Sequence, residues 1–286
     1  MLKIFARGQY YAEMLSLDVC IGAMGSGAVA QTICRARMKQ AWWWILPLSV
    51  WVIYTADHLF DAWKLRGNAV NARHRFHHEN FYPLVVLAAI AAFAAFMGAI
   101  VYLRELVVLG GLLVGAFALL HLILAFWGKV RVGKEVSVAV IYTFGVWYAP
   151  VANRTNELPV FLIAAVAVFV VAALQNLFMN SIIEYDLDHA EGQTFATAVL
   201  PHRTLRSFVL GISALAAMAI PALWSIPEAR SGLSVSLNAA ASFILFLVVV
   251  PGAVLWLQKY AFFRANYRLF AEWVFALGLG TLFLPH

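Results

Sequence analysis

The chain has 286 residues, of which 64% are hydrophobic and only 12% charged, with a formal net charge of +6. A soluble globular domain carries roughly 45–50% apolar and ~25% charged residues. A soluble fold of this length cannot bury so much apolar surface, so lipid must cover it. The excess of positive charge does not imply a nucleic acid: the basic residues are spread along the chain, and anionic headgroups, membrane topology and an anionic substrate account for them.

A transmembrane helix needs ~20 mostly apolar residues to cross a hydrocarbon core ~30 Å thick. Runs of this kind recur at 15–34, 41–61, 82–103, 106–127, 135–152, 159–183, 206–226, 235–257 and 267–284. They predict an all-α membrane protein with nine transmembrane helices in a single polytopic domain spanning 1–286. The runs are too long for barrel strands and lack period-two alternation. The first run starts too late, and is too long, for a cleavable signal peptide. It carries Asp18, and its Gly22-Ala-Met-Gly25-Ser-Gly27 stretch permits close helix packing. Cys20 and Cys34 are 14 residues apart on this helix, too far to bridge, and read as small apolar core residues.

The second run ends in Tyr54-Thr-Ala-Asp57-His58-Leu-Phe-Asp61, and a basic loop follows with Lys64, Arg66, Arg73 and Arg75. The loop before the fifth run holds Lys129, Arg131 and Lys134, the last beside Glu135 at a helix start, where the helix dipole does not favour a positive charge. The sixth run ends in Asn180-Ser-Ile-Ile-Glu184-Tyr-Asp186-Leu-Asp188-His189-Ala-Glu191-Gly192. A spacing of four puts Asp57 and Asp61 on one helical face, and Asn180, Glu184 and Asp188 on another. Four helices separate the two acid clusters, so both lie on the same side of the membrane.

Stacked like charges repel, and intramembrane ionisable groups are expensive. A cation removes both penalties. Mg2+ takes carboxylate oxygens and keeps positions for substrate phosphates. Metal ligands are therefore expected at Asp57, Asp61, Glu184, Asp186 and Asp188. Diphosphate-binding groups are expected at Lys64, Arg66, Arg73, Arg75, Lys134 and Asn180, because Arg and Lys are the usual phosphate grips. Asp57, Asp61, Lys134 and Asp188 are the residues expected to carry catalysis.

Lys and Arg mark the cytoplasmic face. Fourteen lie on the side of the N-terminus: Lys3, Arg7, Lys64, Arg66, Arg73, Arg75, Lys129, Arg131, Lys134, Arg203, Arg206, Lys259, Arg264 and Arg268. Six lie opposite: Arg35, Arg37, Lys39, Arg104, Arg154 and Arg230. The N-terminus and the motif loops are thus expected inside and the C-terminus outside.

This pattern resembles the UbiA-type intramembrane prenyltransferase superfamily, a nine-helix bundle with one Asp-rich motif at the cytoplasmic end of the second helix and another at the end of the sixth. In the family's first motif, Asn-Asp-x-x-Asp-x-x-x-Asp, only the last two acids remain here, as Asp57 and Asp61; Ile53 and Tyr54 stand at the first two positions. Glu184, Asp186, Asp188, Gly192 and Thr197-Ala198 follow the order of the second motif, and Lys134, Gly145 and Pro150 match the family's Lys and its Gly…Pro in the fifth helix. The resemblance implies a Mg2+-dependent transferase that moves a prenyl group from an allylic diphosphate to a lipophilic acceptor within the membrane. The acceptor stays open: an aromatic ring, a lipid hydroxyl or the prenyl chain itself.

Three other readings compete. His74-Arg-Phe-His77-His78 has the form of a His box in membrane di-iron oxygenases, but the remaining histidines, at 58, 121, 189, 202 and 286, form no second box. Alternatively His77 or His78 takes a proton from the acceptor. Intramembrane acids also suit a transporter, although no internal repeat is visible. A non-catalytic, lipid-binding member of the same fold is the third.

Overall fold

The computed structural model describes residues 2–128, 133–155, 160–192, 196–225 and 232–283. Among these residues every regular element is helical. In chain order they are α1 (Leu2–Met14), α2 (Leu17–Cys34), α3 (Trp42–Leu65), α4 (Ala72–Glu79), α5 (Phe81–Tyr102), α6 (Glu105–Phe126), α7 (Lys134–Ala152), α8 (Val160–Ile183), α9 (Tyr185–Ala190), α10 (His202–Ser225), α11 (Gly232–Leu257), α12 (Ala261–Ala265) and α13 (Tyr267–Ala276). Two 3₁₀ segments, Ala196–Ala198 and Leu277–Phe283, complete the set.

Each of the nine apolar runs forms a helix within a few residues of its expected bounds. Seven of them, α2, α5, α6, α7, α8, α10 and α11, are long and apolar enough to cross a membrane. The other two fall short for chemical reasons. At 24 residues α3 is long enough, but it opens on Trp42-Trp43-Trp44 and its last turns carry Asp57, His58, Asp61 and Lys64. The final run divides into ten α-helical and seven 3₁₀ residues, and neither piece alone reaches the ~20 residues a span needs. The short helices α1, α4, α9 and α12 lie outside the apolar runs and have no counterpart in the hydropathy pattern.

The bundle is organised around α2, which packs on α3, α7, α11, α13 and the segment Leu277–Phe283. Small residues make this possible. Gly22 and Gly25 meet Phe275 and Ala276, Gly27 meets the Trp42 ring, and a side chain at Gly25 would run into the Phe275 carbonyl. Farther out, α8 packs on α7, α10 and α11, while α3 packs on α5 and α6 on α7. Both Cys20 and Cys34 are buried free thiols in this core. On the outside, α5 and α6 expose Val86, Ile90, Phe93, Leu109, Leu113 and Phe117. An apolar face this continuous is what lipid covers and water does not.

Two local devices fold the chain back over the end of α3. Arg66 takes a left-handed conformation (φ 48°) that ends the helix. Asn71 then caps α4, its side-chain oxygen accepting the Arg73 backbone N–H at 3.0 Å.

Candidate functional site

The two acid clusters converge. Asp57 and Asp61 on α3 and Asp188 on α9 all lie within electrostatic reach of the Lys134 ammonium at the start of α7, as does Glu135. Asp188 is buried, and burial, with the charges of Glu184, Glu191 and Asp61, pushes its carboxyl up to about 8 against the pull of Lys134. A bound cation would reverse that shift.

Glu191 ties the two motif loops together. It accepts the backbone N–H groups of Val70 and Asn71 at 2.7 Å each, and its other oxygen meets His74 Nδ1 at 2.6 Å. The opposite ring nitrogen of His74 lies 3.6 Å from Asp61. The loop after α3 and the loop after α8 are thus on one face of the bundle, as the helix count requires. Glu135 fixes the same region from α7, accepting from Ser181 Oγ at 3.1 Å and from the Ala196 backbone N–H.

Of the four basic residues expected to grip diphosphate in the loop after α3, only Arg73 turns inward. Its guanidinium donates to His58 Nε2 at 3.2 Å and lies within electrostatic reach of Asp18, Glu184 and Glu272. Lys64, Arg66 and Arg75 are exposed. Lys129 and Arg131 lie outside the described residues. Asn180 faces inward and, with Asn176 one turn earlier, hydrogen-bonds the Glu272 carboxylate.

The second motif is less uniform than its spacing suggests. Asp186 is exposed on α9. Glu184 is held by Arg268 and the Tyr267 hydroxyl of α13 rather than turned toward Lys134. Among the described residues no three His, Cys, Asp or Glu side chains converge as ligands of one metal ion. The donor set therefore does not form an all-protein cage. Mg2+ is commonly bound by only one or two carboxylates and completed by water and substrate phosphate, and Asp57, Asp61 and Asp188 lie within electrostatic reach of Lys134.

The histidine box does not assemble as such. His74 and His77 are buried beside His58, with ring centroids 5.9 and 5.0 Å from it, whereas His78 is exposed near Gly67. His77 Nδ1 donates to the Arg73 carbonyl at 2.9 Å, and burial pushes its imidazole down to about 4. It is a poor base near neutrality.

The polar cluster caps an apolar interior. A cavity of about 110 Å³ has Asp57, Lys134, His121, Tyr54 and Tyr142 among its walls, with Ile53, Val114 and Gly145 beside them. It shares Val50, Ile53, Val114 and Gly145 with a second cavity of about 420 Å³ between α3, α5, α6 and α7, which extends to Trp42 and Leu103. From Asp57 back to Trp42 is 15 residues of α3, or about 22 Å at 1.5 Å per residue. Gly111 and Gly115 of α6 leave open space on this trough, since a Cβ on either would meet nothing within 4 Å.

Two acids inside the bundle, Asp18 buried and Glu272 half-buried, carried no spacing signal. Asp18 is 1% exposed on α2, and Glu272 on α13 lines a small cavity with Asn176, Tyr54 and Tyr142. Each stands alone in an apolar run, and their neighbours come from other helices. Comparison with protein-family models, with curated protein sequences and with solved structures finds no match to the chain in any of the three.

Proposed function

We propose that the protein is a Mg2+-dependent intramembrane prenyltransferase of the UbiA type, with α3 and the α13–3₁₀ unit as further spans, nine in all, and the motif loops on the cytoplasmic side. The observation that carries this reading is the meeting of Asp57, Asp61 and Asp188 around Lys134 at the mouth of a long apolar trough. That is the shape of an allylic diphosphate: a multiply charged head on a hydrocarbon tail.

In this reading Lys134 and Arg73 receive diphosphate oxygens, one as a point charge and the other as a fork. One or two of Asp57, Asp61 and Asp188 would hold the metal, which when bound would neutralise the charge that develops on the leaving group. The trough between α3, α5, α6 and α7 takes the hydrocarbon and excludes water. Tyr54 and Tyr142 line the head of the cavity, where their ring faces suit a developing allylic cation. The polar Ala196 amide and Ser181 hydroxyl engage Glu135, which anchors α7 and with it Lys134.

A non-catalytic, lipid-binding role is the second reading. It draws on Ile53 and Tyr54 in place of polar ligands, and on Glu184 being held by Arg268. Binding separates neither reading from the other but tests both against transport or iron chemistry. A thio-substituted farnesyl diphosphate, which resists ionisation, is expected to bind the purified protein only with Mg2+, and at least ~10-fold more weakly in Lys134→Ala. Binding that ignores both Mg2+ and Lys134 overturns the site.

A further inference from the structure

A second apolar groove opens between α6 and α7 and shares Val114, Phe144 and Tyr148 with the trough's walls. It encloses about 700 Å³ and is lined by Leu113, Phe117, Val140, Phe144 and Tyr148 among others, a size within the roughly 300–1,000 Å³ of small-molecule sites. Among the described residues no Asp, Glu, Lys or Arg lines it; the polar side chains described there are His121, Ser137 and Tyr148, and the Tyr148 hydroxyl already donates to the Leu106 carbonyl at 3.0 Å. The groove and the catalytic-head cavity share three wall residues, Val114, His121 and Ile141. His121 therefore stands between Asp57 and Lys134 on one side and the groove on the other.

The hydrogen-bond pattern favours one tautomer of this imidazole. Ser137 Oγ lies 2.9 Å from the Lys134 carbonyl, 3.2 Å from the Gly133 carbonyl and 2.9 Å from His121 Nδ1. Carbonyls only accept, and the arrangement that pairs both the serine proton and a ring N–H puts that proton on a carbonyl and has the serine oxygen accept from Nδ1–H. The alternative, serine donating to Nδ1, would leave a buried Nε2–H with no acceptor, which is the more expensive orphan. His121 is 9% exposed, and its Nε2 is buried without a partner. It is a fixed, neutral acceptor with a free lone pair.

We infer that the α6–α7 groove binds a neutral lipophile bearing a hydroxyl group, an alcohol or phenol, whose O–H donates to His121 Nε2. A charged headgroup finds no counter-charge among the described walls of the groove, and a purely hydrocarbon occupant leaves the lone pair unmet. Where this rests on the prenyl-transfer reading, the hydroxyl is the acceptor: its oxygen bonds the allylic carbon as the carbon–diphosphate bond breaks, the diphosphate keeps the bonding pair, and the proton passes to Nε2. Binding itself does not depend on that reading.

The test uses 2-naphthol and its methyl ether, 2-methoxynaphthalene, titrated by fluorescence against the purified full chain without Mg2+ or diphosphate. The wild type is expected to bind the naphthol about 10-fold tighter than the ether. His121→Phe is expected to bring the ratio close to one, and Ser137→Ala to lower it in part by freeing the ring. Val140→Trp, which fills the groove, is expected to weaken both probes. Equal affinity for the two probes in the wild type overturns the inference and assigns the groove to acyl chains. A ratio unchanged in folded His121→Phe overturns it too. Failure to release diphosphate bears on the transfer reading alone, because no arm of this experiment uses it.

Discussion

Replacing Glu191 by Ala should uncouple the two motif loops. The Glu191 side chain is 1% exposed and holds two backbone amides and His74. Hydrogen bonds to a charged acceptor contribute about 1.5–3 kcal/mol each. Val70 is exposed, so water replaces its partner at little cost; Asn71 and His74 are more enclosed and recover less. A net loss of about 3 kcal/mol for opening this tie follows, and 1.4 kcal/mol corresponds to a factor of ten. Amide hydrogen exchange at Asn71 should therefore accelerate about 100-fold in Glu191→Ala. Glu191→Gln keeps an oxygen for the amides but loses the charge opposite His74, and should accelerate exchange about 10-fold. Exchange at Asn71 within threefold of wild type in Glu191→Ala would refute the clasp, and with it the claim that the two loops hold one another.

Further predictions concern the acids, the trough and pH. Asp61→Asn and Asp188→Asn should each lower diphosphate release from an allylic diphosphate at least ~100-fold, since metal ligation supplies several kcal/mol; near-wild-type turnover would make that carboxylate a mere helix-end charge. Gly115→Phe places a ring in the open trough and should shift preference toward shorter prenyl donors, read as the ratio of turnover with C10 and C20 diphosphates; an unchanged ratio would place the tail elsewhere. Burial holds His77 at about 4 against an ordinary 6.5, so between those values the unfolded chain binds a proton that the folded chain refuses. That stability is full above pH 6.5 and is lost as pH falls toward 4. The Tm of wild type should therefore drop more than that of His77→Phe across this window, and parallel curves would count against it.

Helical spacing aligns Asp57 with Asp61 on α3, whereas the expected ladder of Asn180, Glu184 and Asp188 is interrupted, because α8 ends at Ile183 and α9 begins at Tyr185. Spacing does not give the partner either: Arg268 and Tyr267 from α13 meet Glu184. Asp18 and Glu272 escaped for the same reason, as single acids whose neighbours Arg73, Asn176 and Asn180 come from two other helices, α4 and α8. The choice of Arg73 over Arg75 was recoverable in principle. Once 72–79 is taken as a helix capped by Asn71, Arg73, His74 and His77 share one face and Arg75 leaves it. Hydropathy could not show this, because α4 is short and polar. The nine apolar runs all became helices, but α3 and the last run are those in which polar side chains, or a break into 3₁₀ geometry, weaken the apolar signal. His121, an isolated histidine in an apolar run, gained meaning only when Ser137 and two cavities were placed around it.

The most direct measurement of the central claim is diphosphate release by the purified protein in lipid nanodiscs supplied with farnesyl diphosphate. Release is expected to require Mg2+, to stop with a chelator, and to fall at least ~100-fold in Lys134→Ala, whose ammonium faces Asp57, Asp61 and Asp188. Release that persists with the chelator, or equal release from wild type and Lys134→Ala, would contradict the account.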